Sequence, residues 1–413
     1  MANKAPSTPW YRAARREHWR VLVAAQLGWM LDAMDVMLYA FALTAIRDEF
    51  HLSGAAAGAL ASVTLLASAG GGAGAGWLAD RYGRTRVLIG SILVYSVFTG
   101  LTATAGTVAE LALWRTLVGL GLGAEWSAGS VLVAETWPAE HRGKAIGFMQ
   151  AGWAVGYILA ALLAAAILPR WGWRPLFAAG VLPALLTFWI RRAVPEPEIW
   201  RRQARHAPAL GEIFGPPMLR RTLLATQLCA VLLFAYWGLF TWIPAYLASP
   251  VAQGGAGLGI VKSSAWIVPM QVGAFLGYTL FGVMADRWGR RPVFLFFVLG
   301  AGALVPVYGA GNRSEALLAA LGPLVGFFGH GYFSVFGALL AELFPSRVRG
   351  TAQGFCYNTG RAASALAPAA IGAIAAYWGI GGALAITAVF FVAAGALMFT
   401  LPETRGAELE GAS

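Results

Sequence analysis

Asp32, Asp35, Arg115, Glu125, His330 and Arg361 all lie inside long apolar runs. A charge without water around it is costly, so each of these residues should have a partner or a task. Asp32 and Asp35 are three residues apart, on one face if the run is helical. Two carboxylates that close in a dry medium cannot easily both be ionised. At least one should gain and lose a proton as its surroundings change, which is the chemistry of a proton carrier. The plainer reading is a structural pair with Arg115, whose depth along its own run matches that of Asp35. Such a pair can be a switch, opened by protonation or by an anion, or a permanent strut.

Arg361 offers a planar fork of donors that suits a carboxylate, with Asn358 one turn earlier; its plainer role is a bridge to an acid on another helix. Glu125 sits in a glycine-rich stretch. It is either a second proton site or, as tight helix packing favours, an interhelical hydrogen-bond partner. His330, the one histidine inside an apolar run, suits a satisfied polar group better than a relay. Tyr39, Gln150, Tyr157, Tyr236, Trp237 and Tyr332 are candidates to line a cavity, each equally able to be packing. Gly119-x-Gly121-x-Gly123 lies within an apolar run with no strand before it, which suits close helix approach and not a nucleotide loop. With no His or Cys at metal spacing and no Walker lysine, protons are the expected coupling ion, and neither a cofactor nor ATP is expected.

The elements holding these residues follow from composition. Of 413 residues, 58% are hydrophobic and 12% charged, with mean hydropathy +0.65. That excludes a soluble enzyme, a nucleic-acid-binding module and a disordered scaffold. Cys229 and Cys356 lie in apolar runs and imply no disulfide framework. The N-terminus is basic and runs into apolar sequence without a small-residue cleavage site, so the first helix is expected to be retained. At about 20 residues per crossing there are twelve candidate spans, near 19–45, 55–79, 86–106, 109–134, 144–168, 173–192, 222–248, 263–285, 292–311, 314–341, 351–377 and 380–401. The polar, proline-rich stretch 193–221, with Arg201, Arg202 and Arg205, divides an N-terminal half (1–192) from a C-terminal half (222–413). The net charge of +11 sits in short clusters. Most Lys and Arg fall in the N-terminal segment and the even-to-odd connections, which predicts both termini in the cytoplasm.

The halves repeat one another. Gly76-Trp-Leu-Ala-Asp80-Arg81-Tyr-Gly83-Arg84 recurs 206 residues on as Gly282-Val-Met-Ala-Asp286-Arg287-Trp-Gly289-Arg290. Glu135-x-x-Pro138-x-x-x-Arg142-Gly143 recurs 207 residues on as Glu342-x-x-Pro345-x-x-x-Arg349-Gly350. Two motifs at nearly one offset mean duplication, and a parallel repeat of six spans is a transporter architecture with its site between the halves. Asp80, Arg81, Arg84, Glu135 and Arg142, with Asp286, Arg287, Arg290, Glu342 and Arg349, can pair across helix ends and hold the cytoplasmic side shut; the plainer reading is topological anchoring. Asp32, Asp35 and Arg361 have no such counterparts.

The G-x-L-A-D-R-x-G-R loop and its second copy resemble the signature of the major facilitator superfamily, over essentially the whole chain. Asp32-Ala-Met-Asp35, the Arg115 to Trp126 stretch running on to Glu135-Thr-Trp137-Pro138, and Asn358-x-x-Gly360-Arg361 with Pro368 are similar to sialate:proton symporters and related lactate/pyruvate symporters. The resemblance implies an all-α membrane fold of twelve helices in two pseudo-symmetric six-helix bundles, working as a monomer in the inner membrane. It implies alternating-access symport of a small organic anion, such as a monocarboxylate, with protons, and no nucleic-acid partner. Rival readings are an aromatic-acid or sialic-acid symporter, a drug antiporter and a non-transporting sensor. Against the antiporter, Gly152-x-x-x-Gly156 is followed by Tyr157 and not by proline; against the sensor, both tails are short.

Overall fold

The computed structural model describes residues 14–52, 54–138, 140–196, 198 and 210–405. Arg201, Arg202 and Arg205 of the linker lie outside them. The described residues are mostly helical, with no strand among them. Ten helical tracts are long and apolar enough to cross a membrane. One of them, Arg349–Met398, is 50 residues long. It breaks at Gly379, where φ is 69° and ψ 166°, and so supplies two crossings, span 11 before the break and span 12 after it, ending at Met398. A shorter apolar tract, Arg174–Ile190, fills the place of the sixth. Twelve spans follow, in the order the hydropathy predicts.

Span 1 is Arg16–Phe50, span 2 Gly54–Tyr82, span 3 Arg84–Thr102, span 4 Val108–Thr136 and span 5 Arg142–Trp171. In the second half, span 7 begins as Pro216–Phe240, span 8 is Gly259–Trp288 and span 9 Arg290–Ala310. Span 10 comprises Glu315–Gly331 and Ser334–Leu343, and span 11 begins as Arg349–Ser364. Leu162, Leu185, Phe188 and Val389 are exposed, which suits lipid and not water.

Within the halves, span 1 packs on 4 and 5, and span 7 on 11 and 12. Between them, span 2 packs on 11 and span 5 on 8, two contacts that the repeat exchanges. Small residues make both possible. A Cβ on Gly76 would meet the Gly350 carbonyl, and one on Gly282 the Gly143 carbonyl. Spans 2 and 8 end abruptly at Gly83 (φ 116°) and Gly289 (φ 104°), left-handed turns that start spans 3 and 9 one residue later.

Candidate functional site

The repeated motifs meet at one end of the bundle, hereafter the motif end, in two buried clusters. Arg84 binds Asp80 at 2.8 Å and Glu135 at 3.1 Å, and Arg349 from the other half reaches Glu135 at 3.0 Å. Asp80 also accepts from the Thr351 amide and hydroxyl at 2.8 and 2.6 Å. In the second cluster Arg290 binds Asp286 at 2.6 Å and Glu342 at 3.1 Å, while Arg142 crosses to Glu342 at 3.2 Å. Lys144 N donates to Asp286 at 3.1 Å. Each cluster matches two acids with two arginines, and each has bonds that cross between the halves. Burial without loss of charge balance is the arrangement that stabilises such groups.

Arg81 and Arg287 stand outside both clusters. They are exposed, over the rings of Trp77 and Trp288 at 5.3 and 6.0 Å. The residue after an Asp is turned about 100° round the helix from it, so adjacency in sequence does not put both on the buried face.

Sequence reading missed a third pair. Glu196 accepts from the amides of Thr85 and Arg86, both at 3.1 Å, and Glu403 from those of Arg290 and Arg291 at 2.9 and 3.0 Å. Each carboxylate satisfies free amides at a helix start. The signal was present: Pro195-Glu196 and Pro402-Glu403 are 207 residues apart.

In the middle of the bundle the ionisable residues of the apolar runs divide into two groups. Asp35 pairs with Arg115 at 3.5 Å and accepts from the Thr99 hydroxyl. Arg115 lies over the Tyr39 ring at 4.9 Å. The second group is Asp32, Glu125 and Arg361, close enough to feel one another's charge. Arg361 donates to Ser68 Oγ at 3.3 Å and sits 5.1 Å from the Tyr357 ring. Among the described residues no carboxylate lies within ion-pair distance of it, and its Nε has no hydrogen-bond partner. Asp32 is 2% exposed and its Oδ2 lacks a hydrogen-bond partner. Glu125 is fully buried, and neither of its oxygens has a hydrogen-bond partner among the described residues. The interhelical hydrogen bond that tight packing suggested for Glu125 is therefore absent: its neighbour on span 1 is the bare backbone of Gly28.

Arg361 faces a cavity of about 10 Å³, barely one water, at the junction of the halves. Trp29 of span 1, Gln150 and Trp153 of span 5, Leu233, Tyr236 and Trp237 of span 7, Tyr278 of span 8, Phe333 of span 10 and Tyr357 of span 11 complete its wall. Below Arg361, Tyr357 stacks on Trp126 of the other half, with ring centroids 3.7 Å apart. Trp126 is held by its Nε1 bond to Gln150 at 3.0 Å. Asn358 turns aside: its amide donates to Gly354 O at 2.9 Å, and its side chain lies against Gly72. Tyr39, Tyr157, Tyr332 and His330 are packed outside the cavity wall. His330 is wedged among Tyr236, Phe240 and Tyr278, with Nδ1 on Gly326 O at 3.1 Å.

Comparison with known proteins decides the family. A sequence model described as Major Facilitator Superfamily matches residues 27–269 and 255–412, nearly the entire chain. The chain belongs to the major facilitator superfamily. Its fold agrees: the superfamily's proton:xylose symporter XylE, solved with 6-bromo-6-deoxy-D-glucose, superposes with a TM-score of 0.76 over 96% of this chain and 98% of that one, at 21% identity. Among superfamily members it is similar to the cis,cis-muconate transport protein of Acinetobacter baylyi, 36% identical over 91% of this chain and 92% of that one. It is also similar to the sialic acid transporter NanX of Escherichia coli, 29% identical over 94% and 95%. The chain is a multi-pass membrane transporter of this superfamily and not an enzyme.

Proposed function

We propose that this chain is a proton-coupled symporter of small carboxylic acids, with the motif end facing the cytoplasm of an inner membrane, and that its cargo has a flat unsaturated or aromatic body. The observation that carries this reading is Arg361. It is a buried guanidinium with no carboxylate in ion-pair range, turned into a cavity whose walls are mainly aromatic faces. A cargo carboxylate supplies the missing anion in a two-bonded geometry. Trp29, Trp153, Trp237 and Tyr357 offer faces for a planar body. A cargo the size of lactate or pyruvate satisfies Arg361 and leaves those faces unused. The relatives named for muconate and sialic acid support a carboxylate cargo and do not choose among bodies.

The cavity as it stands admits no cargo, so the halves must part on one side to load and on the other to release. The motif-end clusters hold one side shut until loading favours their separation. Asp32, close to Arg361, carries the proton that enters with the anion, while Asp35–Arg115 acts as a strut. The proton gradient then drives uptake against the anion's own gradient.

Thermal stability of the purified protein with nicotinate, 4-hydroxybenzoate, cis,cis-muconate, lactate, nicotinamide and xylose tests the cargo class. Flat acids should raise the Tm most, lactate less, and nicotinamide and xylose not at all. A shift with nicotinamide equal to that with nicotinate would remove the carboxylate from the account.

A further inference from the structure

Around Arg361 two carboxylates face one cation. Asp35 is not available to change this count, because Arg115 and Thr99 already engage it. Glu125 lies against Gly28, and Asp32 is one turn further along span 1, so the two acids are neighbours on the face that span 1 turns to span 4. A Cβ on Gly28 would collide with Glu125 Oε1, which shows how closely the carboxyl is held there. The other groups facing the pair are Arg361 and Tyr357 from span 11, Asp35 on span 1 and the Tyr95 hydroxyl from span 3. Arg361 is the one cation among these.

Resting on the symport reading above, we infer that Asp32 and Glu125 form a dyad that holds one resident proton in the empty transporter and takes a second when a cargo carboxylate occupies Arg361. The inventory balances in both states. Empty, Asp35 cancels Arg115, and the dyad with one proton carries one negative charge against Arg361. Loaded, the cargo carboxylate cancels Arg361 and the dyad, with two protons, is neutral. The buried site stays uncharged throughout, as a low dielectric demands. The two states differ by one cargo anion and one proton. A monocarboxylate therefore moves with one proton, taken up from the outer solution and released inside, and no net charge crosses.

Infrared spectroscopy of the empty, full-length protein in lipid at neutral pH tests the dyad without any cargo. The parent should show the carbonyl stretch of one buried, protonated carboxyl. Asp32→Asn should abolish that band, because the remaining Glu125 ionises against Arg361, and Glu125→Gln should abolish it for the mirror reason. A parent without the band, or a band that survives either substitution, overturns the inference: an acid protonated by burial alone would keep its proton when its neighbour is neutralised. In proteoliposomes, nicotinate uptake driven by an inward proton gradient should be unchanged by a valinomycin-imposed potential. Asp32→Asn with Glu125→Gln should turn it into potential-driven, pH-independent uptake. Potential-sensitive parental uptake contradicts the one-proton count. Uptake in the parent that ignores the proton gradient instead defeats the symport reading, and the infrared result stands by itself.

Discussion

Arg349 of the second half reaches Glu135 of the first at 3.0 Å, with both side chains fully buried, and Arg84 holds the same carboxylate from span 3. Glu135 is thus shared between an arginine of its own half and one of the other. The repeat reproduces this with Glu342, held by Arg290 and, across the halves, by Arg142. Parting the halves at this end costs the crossing bonds of Arg349 and Arg142 while the bonds within each half remain, so Arg84 and Arg290 each keep their acids when the halves part.

Asp80 is tied to the other half through the amide and hydroxyl of Thr351. Asp80→Asn should weaken that tie and favour opening at the motif end. A cysteine placed at Gln150 in the cavity wall should then react several-fold faster with an impermeant maleimide applied from the motif side. Unchanged labelling in a folded variant would reduce the motif to a topology anchor.

Asp35 and Arg115 form a buried pair, and removing one partner leaves the other charge uncompensated. Asp35→Asn should lower stability by about 3–5 kcal/mol. Adding Arg115→Gln should recover much of the loss, because the stranded charge is then gone. Unfolding in a denaturant series of detergent-solubilised protein reads this cycle. Simple additivity of the two losses would mean the pair is not a unit.

Arg361→Lys keeps the charge and loses the fork. It should weaken binding of a carboxylate by about 1.5–3 kcal/mol, roughly ten- to a hundredfold, with the fold intact. Titration calorimetry with nicotinate measures it, and parental affinity in Arg361→Ala would place the carboxylate elsewhere, with Arg115 the next candidate.

Glu403 lies beyond span 12. Its partial burial pushes its carboxyl up, but the amides of Arg291, Arg290 and Arg405 outweigh this and hold it below its ordinary value of 4.5. A lowered folded-state value means the contribution is present above pH 4.5 and fades as pH falls through the lowered value. The Tm of the parent should exceed that of Glu403→Gln above this range, and the two should converge in stronger acid. Parallel curves would show that the cap contributes no charge-dependent stability.

The spans and repeat motifs were legible because hydropathy and identity at a fixed offset are local properties of the chain. The Asp35–Arg115 juxtaposition was legible from depth along two helices. The cavity wall was legible only in part: of the candidates, Gln150, Tyr236 and Trp237 line it and Tyr39, Tyr157 and Tyr332 do not, since its residues come from six spans and a single aromatic residue carries no sign of which way it faces. The state of Glu125 was not legible: whether a buried carboxylate finds a hydrogen bond depends on what spans 1, 3 and 11 present to it, and here they present a glycine backbone, a second acid, a tyrosine and one shared arginine, none hydrogen-bonded to it. The sequence pattern also grouped Arg81 and Arg287 with the gate, although helix geometry turns them outward.

Uptake into proteoliposomes of labelled nicotinate, 4-hydroxybenzoate and cis,cis-muconate, with and without an inward proton gradient and with protein-free liposomes subtracted, tests the central claim most directly. At least one of these acids should accumulate several-fold above equilibrium only when the gradient is present, and both a protonophore and Arg361→Ala should abolish this. Failure of every acid to accumulate, or accumulation indifferent to the gradient or to Arg361, would contradict proton-coupled carboxylate transport by this chain.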